Sequence, residues 1–148
     1  MKGMKSTLIF LLIVPLFMTT KSQKIESIPV QEIDSALRVA FIRDFPAARD
    51  IIWFKDGEFT SASFKLLDQK SIVRYDSTNK KIEVETEITK KELPATFETN
   101  IKRDFPKYRI KKTTKIEHYT NIRRWRIIIS KGGDTQEIIM KIPSQELY

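Results

Sequence analysis

Twice along the chain an apolar stripe with helical spacing gives way to the two-residue alternation of strands. Ile33, Leu37, Ala40 and Phe41 fall at i, i+4, i+7 and i+8, one face of a helix. Leu93, Phe97 and Ile101 repeat the i, i+4, i+8 spacing. Pro29 suits the first position of the first helix, because its φ is already set. Thr89 with Glu92 has the pattern of a capping box at the start of the second. Pro94 then falls in the first turn, where a missing N–H does no harm. Both stripes end on one tetrapeptide, Arg43-Asp44-Phe45-Pro46 and Arg103-Asp104-Phe105-Pro106, offset by 60 residues. The residue before a proline is pushed out of the α region, so each Phe-Pro predicts a helix end.

After each helix the period is two. The first copy gives Ile51-Ile52-Trp53-Phe54, a Lys55-Asp56-Gly57 turn, Glu58 to Leu67, a Leu67-Asp68-Gln69-Lys70 turn, and Ser71 to Tyr75. Asp-Gly between apolar runs is a hairpin signal. The second gives Tyr108 to Tyr119, Arg123 to Ser130, a Lys131-Gly132-Gly133-Asp134 turn, and Gln136 to Ile142. Ile82 to Ile88 adds a linking strand. The expected fold class is α+β: a tandem repeat of helix plus antiparallel β-meander, residues 28–88 and 89–142, with two helices on one face of a continuous antiparallel sheet.

Alternation also sorts the faces. Ala62, Phe64 and Leu66 point one way, Ser61, Ser63 and Lys65 the other. Trp125, Ile127 and Ile129 oppose Arg124, Arg126 and Ile128, and Ile138, Met140 and Ile142 oppose Ile139 and Lys141. The apolar sets meet the helices. The other sets form a polar and basic face of the kind an antiparallel sheet leaves open to water.

The N-terminus carries a different pattern. A positive Met1-Lys2-Gly3-Met4-Lys5 precedes the apolar run Thr7 to Met18, and Thr20-Lys21-Ser22 supplies small residues before Gln23. That is the pattern of a secretory signal peptide, residues 1–22, cut near Ser22/Gln23. The run is too short to span a bilayer, which takes roughly 20 residues. The expected mature domain is therefore 23–148, periplasmic or secreted, with no integral membrane segment. Cleavage removes Lys2, Lys5 and Lys21 and no acid, so 24 cations face 19 acids and the net charge falls from +8 to +5. Export and this dilution argue against a nucleic-acid partner.

Composition narrows the chemistry. The chain has no cysteine, which excludes disulfide staples, thiolate zinc sites, thiol nucleophiles and a lipid-anchoring cysteine. Its one histidine, His118, sits in Ile116-Glu117-His118-Tyr119 without a second histidine to share a metal or a nucleophile elbow to serve. Glu83, Glu85 and Glu87 share one strand face. They read as charges guarding a solvated edge strand, with a hard cation such as calcium as the alternative. Asp44 and Asp104 read as solvated partners of the preceding arginines, while Phe45 and Phe105 close the core. No catalytic residues, no metal ligands and no cofactor are assigned.

The duplicated helix-plus-meander unit, the Phe-Pro at each helix end, the aromatic strand Ile52-Trp53-Phe54 and the Leu93-Pro94 opening of the second unit resemble the PepSY-like family. Its members are small exported proteins, common in Bacteroidetes, with a fold similar to beta-lactamase inhibitory protein. The resemblance spans residues 28 to 142 and implies a non-catalytic exported domain that binds, or inhibits, another protein. On this reading the partner is a protein or an acidic macromolecule of the cell envelope. The expected contact surface is the open sheet face: Arg124, Arg126, Lys141, Ser61, Ser63 and Lys65. Arg and aromatic residues are enriched at interfaces, and a cationic face would speed encounter with an acidic partner. A small-ligand or calcium-responsive sensor domain is the alternative.

Overall fold

A computed structural model describes residues 12–14 and 26–142. Nine strands form one antiparallel sheet: β1 (Leu12–Val14), β2 (Ser27–Ile28), β3 (Arg49–Asp56), β4 (Phe59–Leu66), β5 (Gln69–Tyr75), β6 (Lys81–Ile88), β7 (Arg109–His118), β8 (Arg123–Lys131) and β9 (Asp134–Lys141). Their order across the sheet is β1-β9-β8-β7-β6-β5-β4-β3-β2, so consecutive strands from β2 to β9 lie side by side, with a helix in the β2–β3 and β6–β7 connections. β1 lies within the apolar run of the expected signal peptide and pairs with β9. The Ser22/Gln23 junction lies outside the described residues. Two helices, α1 (Ser35–Asp44) and α2 (Ala95–Asp104), lie on one face.

Both helices start later than the apolar spacing predicts. A single 3₁₀ turn comes first in each case, Val30–Glu32 and Lys90–Glu92, with Pro29 and Thr89 as the flanking residues. Ile33 and Leu93 are extended, and α1 and α2 begin two residues later. Leu93 precedes a proline and cannot stay helical. Asp34 turns the chain and caps α1, its carboxylate accepting from the Leu37 N–H at 3.0 Å. Glu92 accepts from the Thr89 N–H at 2.8 Å, so the capping-box residues hold the 3₁₀ turn rather than α2 itself. The Phe-Pro ends fall where expected: Phe45 and Phe105 are C-caps with nearly identical dihedrals, φ −133°, ψ 62° and φ −129°, ψ 58°.

Each helix presses two side chains onto its own part of the sheet. Leu37 and Phe41 pack with Trp53, Phe64, Val73 and Tyr75; Phe97 and Ile101 pack with Trp125, Ile127, Ile138 and Met140. The two clusters are distinct, and the sheet joins them. β6 is central, hydrogen-bonded to β5 on one side and β7 on the other, so the reading of its glutamates as guards of an edge strand is corrected. β3 and β7, the first meander strand of each set, both carry a bulge near their starts.

Candidate functional site

Directly paired residues in an antiparallel sheet share a face, so the register reads the open face row by row. One row runs Ile52–Ser63–Ile72–Glu85–Ile116–Arg124–Lys141. The next runs Phe54–Ser61–Arg74–Glu83–His118. Ser61, Ser63, Arg124 and Lys141 therefore lie on the face away from the helices, Lys65 and Arg126 join them by alternation along β4 and β8, and an acidic strand runs through the middle.

That strand changes the electrostatics. Arg74 donates from Nε to Asp56 at 2.7 Å and from Nη1 to Glu83 and Glu85 at 2.9 and 2.6 Å. From the other side Arg124 reaches Glu83 and Arg126 reaches Glu85, both at 2.9 Å. Each arginine leans over a whole strand: Arg74 over β4 to β3, Arg124 and Arg126 over β7 to β6. The strands passed over present small or compact residues to make room. Ser61 pairs with Arg74 and is fully buried, its hydroxyl without a hydrogen-bond partner among the described residues. Thr114 and Ile116 are buried in the same way opposite Arg126 and Arg124. The result is a ladder of alternating sign, Asp56–Arg74–Glu83/Glu85–Arg124/Arg126, with Arg74 and Glu85 side chains only 21% and 10% exposed. Desolvation raises the Glu85 pKa, but the Arg74 hydrogen bond and the Arg126 charge outweigh it and hold the carboxyl below its usual 4.5.

The expectation of a cationic face is corrected accordingly: Arg124 and Arg126 are neutralised by Glu83 and Glu85. Lys65 is paired with Asp50 at 2.8 Å. Lys141 is exposed and, among the described residues, has no ion-pair partner, and Ser63 is half-buried. Glu87 is engaged by Lys112 at 3.2 Å. A cation at Glu83, Glu85 and Glu87 would therefore have to displace arginine and lysine, and no group of three or more His, Cys, Asp or Glu among the described residues is arranged to hold a metal. His118 closes the β7–β8 turn, its Nδ1 2.8 Å from the Thr120 hydroxyl. Asp44 and Asp104 pair with Arg43 and Arg103 at 3.2 and 2.7 Å, and Asp44 also with Lys81 at 2.7 Å. On the helix side an open groove of about 590 Å³ lies over β5 to β7, lined by Phe45, Leu66, Lys81, Lys115 and Tyr119 among others.

No family model matches the chain, and no curated protein matches it. Solved structures do. The chain shares its fold with proteins of Bacteroides. A DUF2874 family protein from Bacteroides uniformis is similar over 74% of this chain and 82% of its own, with TM-score 0.69 and 13% identity. A BLIP-like protein from Bacteroides fragilis is similar over 67% and 72%, with TM-score 0.59 and 17% identity. A protein from Bacteroides eggerthii, provisionally named periplasmic, is similar over 73% and 81%, with TM-score 0.68 and 17% identity. The open antiparallel sheet with two helices on one side is thus a fold these proteins have in common.

The sequence also held a signal that face-by-face alternation does not reveal. Residues 28–88 contain nine Lys or Arg and eleven Asp or Glu, net −2; residues 89–142 contain fourteen and six, net +8. Counting charge over residues 23–148 together averages this asymmetry away.

Proposed function

We propose that the chain is an exported, non-catalytic protein-binding module whose partner docks on the open sheet face. In this reading residues 1–22 are cleaved near Ser22/Gln23, the mature domain is periplasmic or secreted, and the two sets of elements are copies of one PepSY-like unit. The contact surface comprises Ser61, Ser63, Lys65, Arg124, Arg126 and Lys141. The provisional periplasmic name of the Bacteroides eggerthii neighbour supports the compartment, and the BLIP-like name of the Bacteroides fragilis neighbour supports binding or inhibition of another protein. No described helix is long and apolar enough to cross a membrane.

The observation that carries the proposal is the charge ladder. A face uncovered by helices holds its long side chains in fixed, half-buried ion pairs, so a partner meets a surface whose shape is already set. Such pre-organisation lowers the entropy cost of docking. The same pairs make Glu85 a structural carboxylate, because Arg74 and Arg126 hold it below its usual range whereas a general acid needs a raised pKa.

The test leaves the ladder intact, since reversing Arg124 and Arg126 would crowd acids together and unfold the face. Ser63→Arg with Lys141→Glu alters the face at half-buried and exposed positions. Val39→Glu with Ile42→Glu alters the outer side of α1. Envelope extract of the native organism is passed over each immobilised variant and captured protein is identified by mass spectrometry. The expected result is a partner retained by the wild type and the α1 variant and lost by the open-face variant. Equal capture by the open-face variant removes the proposal.

A further inference from the structure

The two bulges occupy equivalent places and carry opposite chemistry. In β3 the chain reads Arg49-Asp50-Ile51-Ile52, and in β7, sixty residues on, Arg109-Ile110-Lys111-Lys112. A bulge re-aims side chains at the margin of a sheet. At the first, Ile51 and Ile52 are 41% and 54% exposed, while Arg49 is neutralised by Asp68 at 3.1 Å and Asp50 by Lys65. At the second, Arg109 and Lys111 are exposed and, among the described residues, have no ion-pair partner. One margin thus offers uncharged apolar contact at one point and uncompensated positive charge at the other.

Their separation follows from the register. β3 and β7 run in the same direction with β4, β5 and β6 between them. Four strand spacings make about 19 Å across the sheet. The row through Ile52 meets β7 at Ile116, and Lys111 and Arg109 lie five and seven residues before it, one of them taken up by the bulge, which adds about 17 Å along the strand. The two points lie about 25 Å apart along the surface, the span of about eight extended residues.

We infer that the bulged margin is a two-point docking surface for a protein partner, taking an apolar side chain at Ile51 and Ile52 and a carboxylate at Arg109 and Lys111. The inference rests on the open-face reading and assigns it a partner chemistry. A protein segment is favoured over a glycan because Trp53 and Trp125, which would stack on sugar rings, are buried under the helices. It is favoured over an anionic membrane because the exposed apolar pair and the free charges stand far apart, so no apolar side chain inserts where the headgroups bind.

The test uses labelled peptides on the intact mature protein. Leu-Leu-(Ser-Gly)₃-Glu-Glu spans the distance, whereas Leu-Leu-Gly-Glu-Glu does not. Two linked contacts gain by effective concentration only when the linker reaches both. Fluorescence anisotropy is expected to show the long peptide binding at least about tenfold more tightly than the short one. Arg109→Glu with Lys111→Glu, or Ile51→Ser with Ile52→Ser, is expected to erase that advantage while far-UV circular dichroism is unchanged. Equal binding of long and short peptides by the wild type overturns the inference without relying on any variant. So does retention of phosphatidylglycerol vesicles or heparin that the charge reversal abolishes while peptide binding persists. If Ser63→Arg with Lys141→Glu abolishes capture of the native partner but neither bulge variant does, the two-point inference falls and the open-face reading stands.

Discussion

The two helix-covered parts of the sheet share an order of elements, a 3₁₀ turn, a helix and then a run of strands, but carry different side chains. Under α1 the tryptophan sits on the first meander strand, Trp53, opposite Ala62 on the second. Under α2 the first strand has Thr113 at that place, opposite Ile127, and the tryptophan has moved to the second strand as Trp125, opposite Lys115 and Met140. The helices compensate. α1 presents Leu37 then Phe41; α2 presents Phe97 then Ile101. Each phenylalanine meets its tryptophan edge to face with centroids 5.2 Å apart. Large side chains are thus placed at different positions in the two helix–sheet layers, each layer closing its own packed cluster. Outside the core the halves diverge freely. Val39 and Ile42 stand 66% and 61% exposed on α1 where α2 has Thr99 and Lys102, and the net charges are −2 and +8. Packing constrains what lies beneath each helix and leaves the outside to function.

The sharpest way to break the comparison is at the matched core positions. Phe41 touches Phe45, Trp53 and Phe64, so Phe41→Ala is expected to cost about 3–5 kcal/mol. Ile101→Ala removes a smaller side chain and is expected to cost about 2–4 kcal/mol. Urea denaturation followed by circular dichroism checks both. Because β6 and β7 pair along six residues, one shared transition is expected, and two separate transitions would show that the halves unfold independently.

The ladder joins the halves through charge, and Glu85→Gln should weaken that join. It strips the charge from a buried partner of the partly exposed Arg74 and Arg126, at an expected cost of about 2–3 kcal/mol, slightly below that of breaking a fully buried pair. The pH dependence follows from linkage. The folded Glu85 carboxyl titrates below its usual 4.5, so its contribution is complete above pH 4.5 and fades as pH falls through the lower folded value. Wild-type melting temperature should fall across that acid window, and Glu85→Gln should flatten the fall.

The hairpin turns differ next. The β8–β9 turn uses Gly132 and Gly133, which accept φ of 55° and 92° without strain. The β4–β5 turn forces Leu67 and Asp68 to 49° and 64°. A side chain there costs about 1–2 kcal/mol, so Leu67→Gly should raise stability by about 1 kcal/mol, read as a higher urea midpoint. At the helix starts Asp34→Ala should lower it by about 1 kcal/mol, because α1 has a side-chain cap and α2, whose N-cap residue is Pro94, has none. Smallest of all, Val39→Thr with Ile42→Lys, which copies α2 onto α1, should change stability by no more than about 0.5 kcal/mol. A larger loss would mean that the outer side of α1 is packed against something.

Period, proline and cap residues fixed the local elements in the sequence. Phe-Pro ended both helices, alternation gave each strand its faces, and the 60-residue recurrence gave the order of elements. These are properties of neighbouring residues, and neighbours are what a sequence shows. Spacing alone places the helix starts too early, because it continues through Ile33 and Leu93 although the backbone there is extended. The charge of the open face is illegible in the sequence for a different reason. Whether Arg124 is free or paired depends on Glu83, 41 residues away, and only the β6–β7–β8 register brings them together. The tertiary structure also placed β6 at the centre of the sheet and aligned the two bulges on one margin. Hydrophobic burial is written along the chain, whereas the partner of each charge is decided by how the strands are laid side by side.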